Sequence, residues 1–226
     1  MSSFLLKIIA AAAMLIDHAG LLLFPGESWM RIVGRLAFPI FAYCIAEGFR
    51  YTRSRGKYFL RLFLLGGACQ LVYLIAAGDT LIGILLVFSL SVLLMWLGDL
   101  AKAAFREERS SRYLWLTAAA AAVCAAAWMT TRWEFDYGFF GIMLPVWVSL
   151  FEKKEHRLAA LGFGLGALCL ESWLGGSYRQ AWSLMTLPIL TLYSGKPGRY
   201  RMKWFFYVFY PAHLALLQCL AWVMPR

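Results

Sequence analysis

The stretch "LIGILLVFSLSVLLMWL", residues 81–97, decides the fold class because it runs for 17 residues without a charged side chain. A helix needs about 20 predominantly apolar residues to cross the hydrocarbon core of a bilayer. A second such run, "YLWLTAAAAAVCAAAWM", covers residues 113–129, and similar runs recur along the chain. The sequence therefore predicts an all-α, polytopic helical membrane protein.

The composition supports this class. Hydrophobic residues make up 62% of the 226 residues and charged residues 15%, whereas soluble domains average about 45–50% apolar and 25% charged residues. The net charge is +10, but the basic residues cluster in short loops between apolar runs, as in the cytoplasmic loops of membrane proteins. The charge therefore requires no nucleic-acid partner.

The apolar runs and the charged or Gly/Pro breaks between them predict about nine transmembrane helices, with the N-terminus in the cytoplasm. In that orientation all but five of the 22 lysines and arginines lie on the cytoplasmic side, as the positive-inside rule requires. The sixth and eighth helices are short and contain Pro145 and Pro188, so either is a candidate for a kinked, tilted or partly re-entrant segment. The predicted helices cover 4–24, 31–49, 58–77, 80–98, 113–130, 136–151, 157–175, 181–194 and 204–224.

Ionisable residues inside these helices are the main functional signal, because each charge in a bilayer costs at least about 2.5 kcal/mol. Such residues persist mainly where they are paired or take part in function. The residues concerned are Lys7, Asp17, His18, Arg35, Glu47, Glu171 and His213.

The first two predicted helices place several of these groups together. Lys7 and His18 are separated by about three helical turns, so they share a face with a rise of about 16 Å. Asp17 projects about 100° away from His18, so its carboxylate is predicted to serve another helix. An antiparallel hairpin of the two helices predicts ion pairs of Asp17 with Arg35 and of Lys7 with Glu47.

The last predicted helix carries a second polar face in "KWFFYVFYPAHLALL", residues 203–217. Tyr207, Tyr210 and His213 follow one another at steps of three residues on one broad face. His213 lies at a depth similar to that of His18. An aromatic belt at the membrane interface also explains Tyr207, but it explains His213 poorly.

This set of residues is suited to acyl transfer. Histidine exchanges a proton near neutral pH, and a buried imidazole deprotonates an amine or hydroxyl that attacks a thioester. The carbonyl oxygen then becomes negative, and Tyr210 or Arg35 is a candidate donor to it. The basic cytoplasmic loops are candidates for holding a phosphate-rich acyl donor.

Four stretches of the chain resemble one known family: "KIIAAAAMLIDHAG", "GRLAFPIFAYCIAEGFRYTRSRGKYFLRL", "DYGFFGIMLP" and "KWFFYVFYPAHLALL". In this order and spacing they are similar to the TraX family, which is named for the protein that N-acetylates F-pilin. That family is similar in turn to integral-membrane acyltransferases that modify surface polysaccharides and heparan. The resemblance implies a single integral-membrane acyltransferase-like domain over residues 1–226, with acetyl-CoA as co-substrate.

The resemblance also implies roles for particular residues. In the wider set a basic residue, ten intervening residues and a histidine mark the first helix, and Lys7 and His18 match that spacing. This implies that His18 is the catalytic histidine and that Lys7 lies near the donor's entry path. Arg50 and Arg53 match only weakly an arginine pair of the polysaccharide enzymes. "DYG" at residues 136–138 implies that Asp136 and Tyr137 face the acceptor.

The leading hypothesis is a multi-pass acetyltransferase of the bacterial inner (plasma) membrane, in which His18 acts as a general base or as a transient acyl carrier. Its acceptor is a protein amine, a sugar or a lipid headgroup, and no metal is predicted because the five cysteines lie one per apolar segment. The alternatives are a proton-coupled transporter and a scaffold for a secretion or conjugation apparatus. The predicted catalytic residues are His18, His213, Tyr210, Asp17 and Arg35; the donor contacts are Lys7, Glu47, Arg50, Arg53, Lys203 and Tyr207; the acceptor contacts are Asp136 and Tyr137.

Overall fold

The computed structural model describes residues 1–78, 80–196, 198 and 203–223, with the backbone alone described for 76, 77 and 203–207. In this part of the chain the regular structure is helical, and the only β-type pairing is an isolated bridge between Ile82 and Phe135. The predicted all-α class is confirmed. The helices are α1 (Ser3–Leu22), α2 (Ser28–Gly34), α3 (Ala37–Tyr51), α4 (Arg55–Ala77), α5 (Ile84–Arg106), α6 (Arg112–Arg132), α7 (Gly138–Ser149), α8 (Lys154–Leu174), a 3-10 helix (Arg179–Met185), α9 (Thr186–Thr191) and α10 (Lys203–Val223).

Over the described residues, six helical segments are long and apolar enough to cross a membrane. They are α1, α2 together with α3, α4, α5, α6 and α8. α7 has 12 residues and is about 18 Å long at 1.5 Å per residue, which is shorter than the roughly 30 Å of a hydrocarbon core. The protein is a polytopic membrane protein with six long helical segments that can span the bilayer and with shorter helices, such as α7, that are too short to span it when straight.

The second predicted helix, 31–49, is divided into α2 and α3. At the division the N–H groups of Arg35 and Leu36 donate to carbonyls three residues earlier rather than four. Pro39, the third residue of α3, has no N–H to give to the Arg35 carbonyl, and its ring clashes with an α-helical carbonyl at that position. This proline explains the break.

Two further predicted helices have different bounds. α5 continues to Arg106, eight residues beyond the predicted end at 98, because charged residues in its last two turns remain helical. The predicted helix 181–194 is a 3-10 helix followed by the short α9, which contains Pro188. Both differences arise where polar residues or proline, rather than the apolar pattern, decide where the helix ends.

The chain divides into two compact units, residues 1–44 with 158–226 and residues 45–157. In the first unit α1 packs against α2 and α10. A small apolar cluster of Ala13, Met14 and Ala37 joins them, with Phe209 and Tyr210 packed against it. The first unit therefore brings the start and the end of the chain together.

In the second unit α5 packs against α4, α6 and α7. Its core contains Val87, Leu94 and Ile142. The buried hydroxyl of Ser91 donates a 2.7 Å hydrogen bond to the carbonyl of Ile142, next to the point where Pro145 interrupts the helical ladder of α7. α5 is thus the central helix of this unit.

Candidate active site

Asp17 on α1 forms an ion-pair network with two arginines. Its Oδ2 lies 2.7 Å from Arg31 Nη1, and its Oδ1 lies 3.5 Å from Arg35 Nη2. Arg31 also donates to the Asp17 backbone carbonyl at 3.1 Å, and Arg35 Nε donates to the Arg31 carbonyl at 3.3 Å. The three side chains are between 14% and 21% exposed, so the charges are held largely away from solvent.

The network confirms the predicted pair of Asp17 with Arg35 and adds a partner that was not predicted. Arg31 makes the shorter contact with the carboxylate. Arg31 and Arg35 are four residues apart and lie on one side of a helical turn. That spacing was the signal in the sequence that would have identified Arg31 as well.

Gly34 allows α1 and α2 to approach at this network. A Cβ at residue 34 would overlap the Asp17 side chain. The approach of the two helices therefore depends on a residue without a side chain, and the Asp17 carboxylate fills the space above it.

We expect Gly34→Ala to lower the free energy of unfolding by about 1–3 kcal/mol, because overpacking shifts the Asp17 side chain away from its arginines. The measurement is an SDS titration of the solubilised protein followed by circular dichroism. Gly67→Ala is the matched control, since nothing lies within 4 Å of a Cβ there and alanine is the better helix former. A loss at residue 67 equal to that at residue 34 would contradict this assignment.

His18 on α1 and His213 on α10 are in direct contact. The His213 Nε2 atom lies 3.1 Å from His18 Nδ1, and the ring centroids are 5.1 Å apart. His213 is 4% exposed, whereas His18 is half-buried. The two histidines were predicted to lie at a similar depth, and in the structure their imidazole rings are within hydrogen-bonding distance.

The backbone around His213 determines which ring nitrogens carry hydrogens. His213 Nδ1 lies 2.8 Å from the Phe209 carbonyl, which only accepts hydrogen bonds, so we assign a hydrogen to Nδ1. In a neutral His213 ring Nε2 is then an acceptor, and the hydrogen between the rings belongs to His18 Nδ1. With that hydrogen on Nδ1, Nε2 of a neutral His18 ring is left as the basic nitrogen.

Aromatic residues of α10 fix the orientation of His213. The Phe209 ring stacks on the imidazole with centroids 4.7 Å apart and planes 11° apart. The Tyr210 ring meets it edge-on at 5.9 Å. Pro211 lies between Tyr210 and His213 in sequence, and it has no N–H to donate to the carbonyl four residues earlier. Residues of α10 therefore orient the His213 ring independently of its contact with His18.

The predicted donor contacts lie in different parts of the structure. Lys7 is half-buried on α1, and Arg53 is exposed in the connection between α3 and α4. Glu47 forms a buried ion pair with Arg157, which was not predicted; its predicted pairing with Lys7 stays a prediction. The side chains of Lys203 and Tyr207 lie outside the described residues. The binding roles of all these residues stay predictions.

Arg50 lines a cavity of about 440 Å³ in the second unit. The cavity lies among the ends of five helices. The last turns of α3, α5 and α7, the first turns of α4 and α8, and the connection from α7 to α8 contribute to it. The charged residues of its wall are mainly basic, although Asp99 and Glu152 also contribute. The basic residues that line it are Arg50, Arg55, Lys102, Arg106 and Arg157.

The predicted acceptor residues lie in a tight connection between α6 and α7. Tyr137 has φ 61° and Gly138 has φ 55°, and a left-handed backbone is unusual for tyrosine. The Asp136 N–H donates to the Ile82 carbonyl at 3.0 Å, which ties the turn to the start of α5. Both side chains are half-buried, and their role toward an acceptor stays a prediction.

The fold and these contacts define a class: a polytopic helical membrane protein with a histidine pair and an Asp–Arg network inside one of its helical units. The chain belongs to the TraX family. The family model described as "TraX protein" matches residues 2–221, which confirms the resemblance seen in the four stretches.

Individual relatives agree with this membership. The chain is 31% identical to the probable fimbrial assembly protein FimC, serogroup H1, of Dichelobacter nodosus, over 96% of this chain and 94% of that protein. It is also 31% identical to protein TraX of Escherichia coli, over 96% of this chain and 86% of that protein. An uncharacterized protein of Rickettsia prowazekii is 49% identical over 47 residues, which are 21% of this chain and 18% of that protein. No solved structure matches significantly.

Proposed function

We propose that this protein is a membrane-embedded acetyltransferase that moves the acetyl group of acetyl-CoA to an amine or hydroxyl acceptor. The observation that carries the proposal is the 3.1 Å contact between His213 Nε2 and His18 Nδ1. Two imidazoles in contact inside a membrane-spanning unit are costly to retain for packing alone. They are well suited to proton transfer.

In the proposed reaction His18 is the general base. Its Nε2 accepts the proton of the acceptor N–H or O–H as the acceptor atom bonds to the thioester carbonyl carbon. The C–S bond then breaks, and the CoA thiolate takes up the proton, so that acetyl-acceptor and CoA are the products. His213 holds the His18 ring in one tautomer, as a positioning residue that acts through hydrogen bonding.

The negative charge that develops on the carbonyl oxygen requires hydrogen-bond donors with fixed positions. Arg35 and Tyr210 are the proposed donors, since Arg35 is held by Asp17 at 3.5 Å and Tyr210 contacts His213 edge-on at 5.9 Å. Asp17 keeps Arg35 and Arg31 in place and balances their charge. This division of roles accounts for the Asp–Arg network beside the histidines.

The acceptor we propose is the amino group of a pilin subunit, at the bacterial inner membrane with the N-terminus of this protein in the cytoplasm. The relative named a fimbrial assembly protein supports a pilus-related acceptor. The sequence resemblance to a family named for F-pilin N-acetylation supports an amine. A sugar or lipid hydroxyl is the chemical alternative that the experiment distinguishes.

The test uses purified protein in nanodiscs with radiolabelled acetyl-CoA and a pilin-type peptide. We expect CoA release that depends on a free amino group, with the label on the peptide, and no labelling of the N-formylated peptide. Label on a sugar or a lipid would show that the acceptor is not a pilin amine but would still support acetyl transfer from CoA. If the protein releases no CoA and transfers no label but moves solutes across proteoliposome membranes, the acetyltransferase proposal is wrong and the protein is a transporter.

A further inference from the structure

We propose that the basic cavity of the second unit binds the phosphate groups of an organic phosphate. The inference rests on the proposed function in one respect: the proposed acyl donor is a CoA thioester, and CoA carries a pyrophosphate and a 3′-phosphate. The headgroup of an anionic phospholipid offers the same phosphate chemistry. The volume of about 440 Å³ is in the range of small-molecule sites.

The first support is the excess of positive charge at the wall. Arg157 is neutralised by Glu47, and Arg55 Nη2 lies 2.6 Å from Asp99. Among the described residues, the Arg50 side chain donates to the backbone carbonyl of Glu152, at 3.2 Å, and forms no ion pair.

Within the described residues, neither Lys102 nor Arg106 forms an ion pair. They stand four residues apart on one side of α5. The wall therefore carries three positive charges outside the ion pairs, those of Arg50, Lys102 and Arg106. Glu152 is the one remaining acidic residue among the lining residues.

The second support is an unsatisfied donor. The Nε atom of Arg55 is buried and has no hydrogen-bond partner in the described part of the chain. Its guanidinium is held by Asp99 and lies 4.9 Å from the centroid of the Phe49 ring. Buried unpaired donors are rare and call for a partner. A phosphate oxygen is a suitable partner once a movement of the Arg55 side chain opens Nε to the cavity that this residue lines, because guanidinium groups bind phosphate through several parallel hydrogen bonds.

The third support is the arrangement of the helix ends. α4 begins at Arg55, so the positive end of its dipole lies at the cavity wall, where it favours an anion. Positive-inside sorting explains why residues in cytoplasmic loops are basic. It does not require basic residues from four chain segments to line the same cavity.

The first arm of the test measures CoA binding without turnover. Full-length protein in phosphatidylcholine nanodiscs is titrated with CoA in a calorimeter. We expect Lys102→Gln with Arg106→Gln to weaken binding by about tenfold or more, because each lost charged hydrogen bond has about that effect. Both side chains are exposed, so the variant is expected to fold. The control, Lys57→Gln with Lys153→Gln, removes the same charge from two exposed side chains that do not line the cavity, and its binding is expected to stay within about twofold of wild type.

The second arm counts phosphatidylglycerol retained by the same proteins, using native mass spectrometry from nanodiscs that contain this lipid. Absence of CoA binding, with more lipid retained by wild type than by the cavity variant, assigns the phosphate to a lipid headgroup and supports the site. Equal CoA binding and equal lipid retention by the cavity variant and the control would overturn the inference. CoA binding through the cavity without acetyl transfer by the wild-type protein would overturn the proposed function alone.

Discussion

Replacing His18 by alanine is expected to lower the rate of acetyl transfer by about 10²–10⁴-fold, the usual contribution of a positioned general base. The reason is that Nε2 of His18 is the basic nitrogen left after His213 and the Phe209 carbonyl fix the hydrogens of the pair. The measurement is the initial rate of CoA release with saturating amine acceptor. Circular dichroism and gel filtration check that the variant is folded.

His156→Ala is the matched control, because the chain has three histidines and His156 is the exposed one. Its ring contacts the Phe151 ring, with centroids 5.9 Å apart, and is not part of the pair. We expect its rate to equal that of wild type. Equal rates for His18→Ala and His156→Ala, both folded, would remove His18 from the mechanism.

Asp17→Asn is expected to lower the free energy of unfolding by about 3 kcal/mol or more, because it removes the carboxylate that balances both Arg31 and Arg35. Breaking a buried ion pair by removing one partner leaves an uncompensated charge, and this costs about 3–5 kcal/mol. Here a single substitution leaves two such charges. The measurement is the SDS titration followed by circular dichroism.

Asp99→Asn is the control for this substitution, since it removes one carboxylate from an ion pair with a single arginine. The Arg55–Asp99 side chains are 39% and 32% exposed, and exposed pairs contribute about 1 kcal/mol or less. We expect the loss at Asp99 to be well below that at Asp17. Similar small losses at both residues would show that the Asp17 network is solvated and does not hold α1 to α2.

Much of the fold could be predicted from the apolar pattern. The long runs predicted the spanning helices because lipid requires each helix to satisfy its own backbone, which makes hydropathy informative. The pattern could not place the break between α2 and α3, since that depends on Pro39 and the Arg35 carbonyl. It also ended α5 too early, because the charged residues near Arg106 continue the helix.

The candidate site was predictable to the extent that local geometry determines it. The 100° step from Asp17 to His18 predicted that the carboxylate faces another helix, and the Arg35 contact confirms this. The contact of His18 with His213 could not be predicted from the sequence, because depth in the membrane does not determine which helices are neighbours. The pairing of Glu47 with Arg157 was missed for the same reason.

The central claim is that the two imidazoles act as one proton-handling unit in acetyl transfer. A double-mutant cycle tests it most directly, with initial rates of CoA release for wild type, His18→Gln, His213→Gln and the double variant, all checked for folding. Residues that act as a unit are strongly non-additive in their effects on rate. We predict that both single variants are slow and that the double variant is no slower than the slower single one. Losses that multiply in the double variant, or single variants as fast as wild type, would contradict the claim.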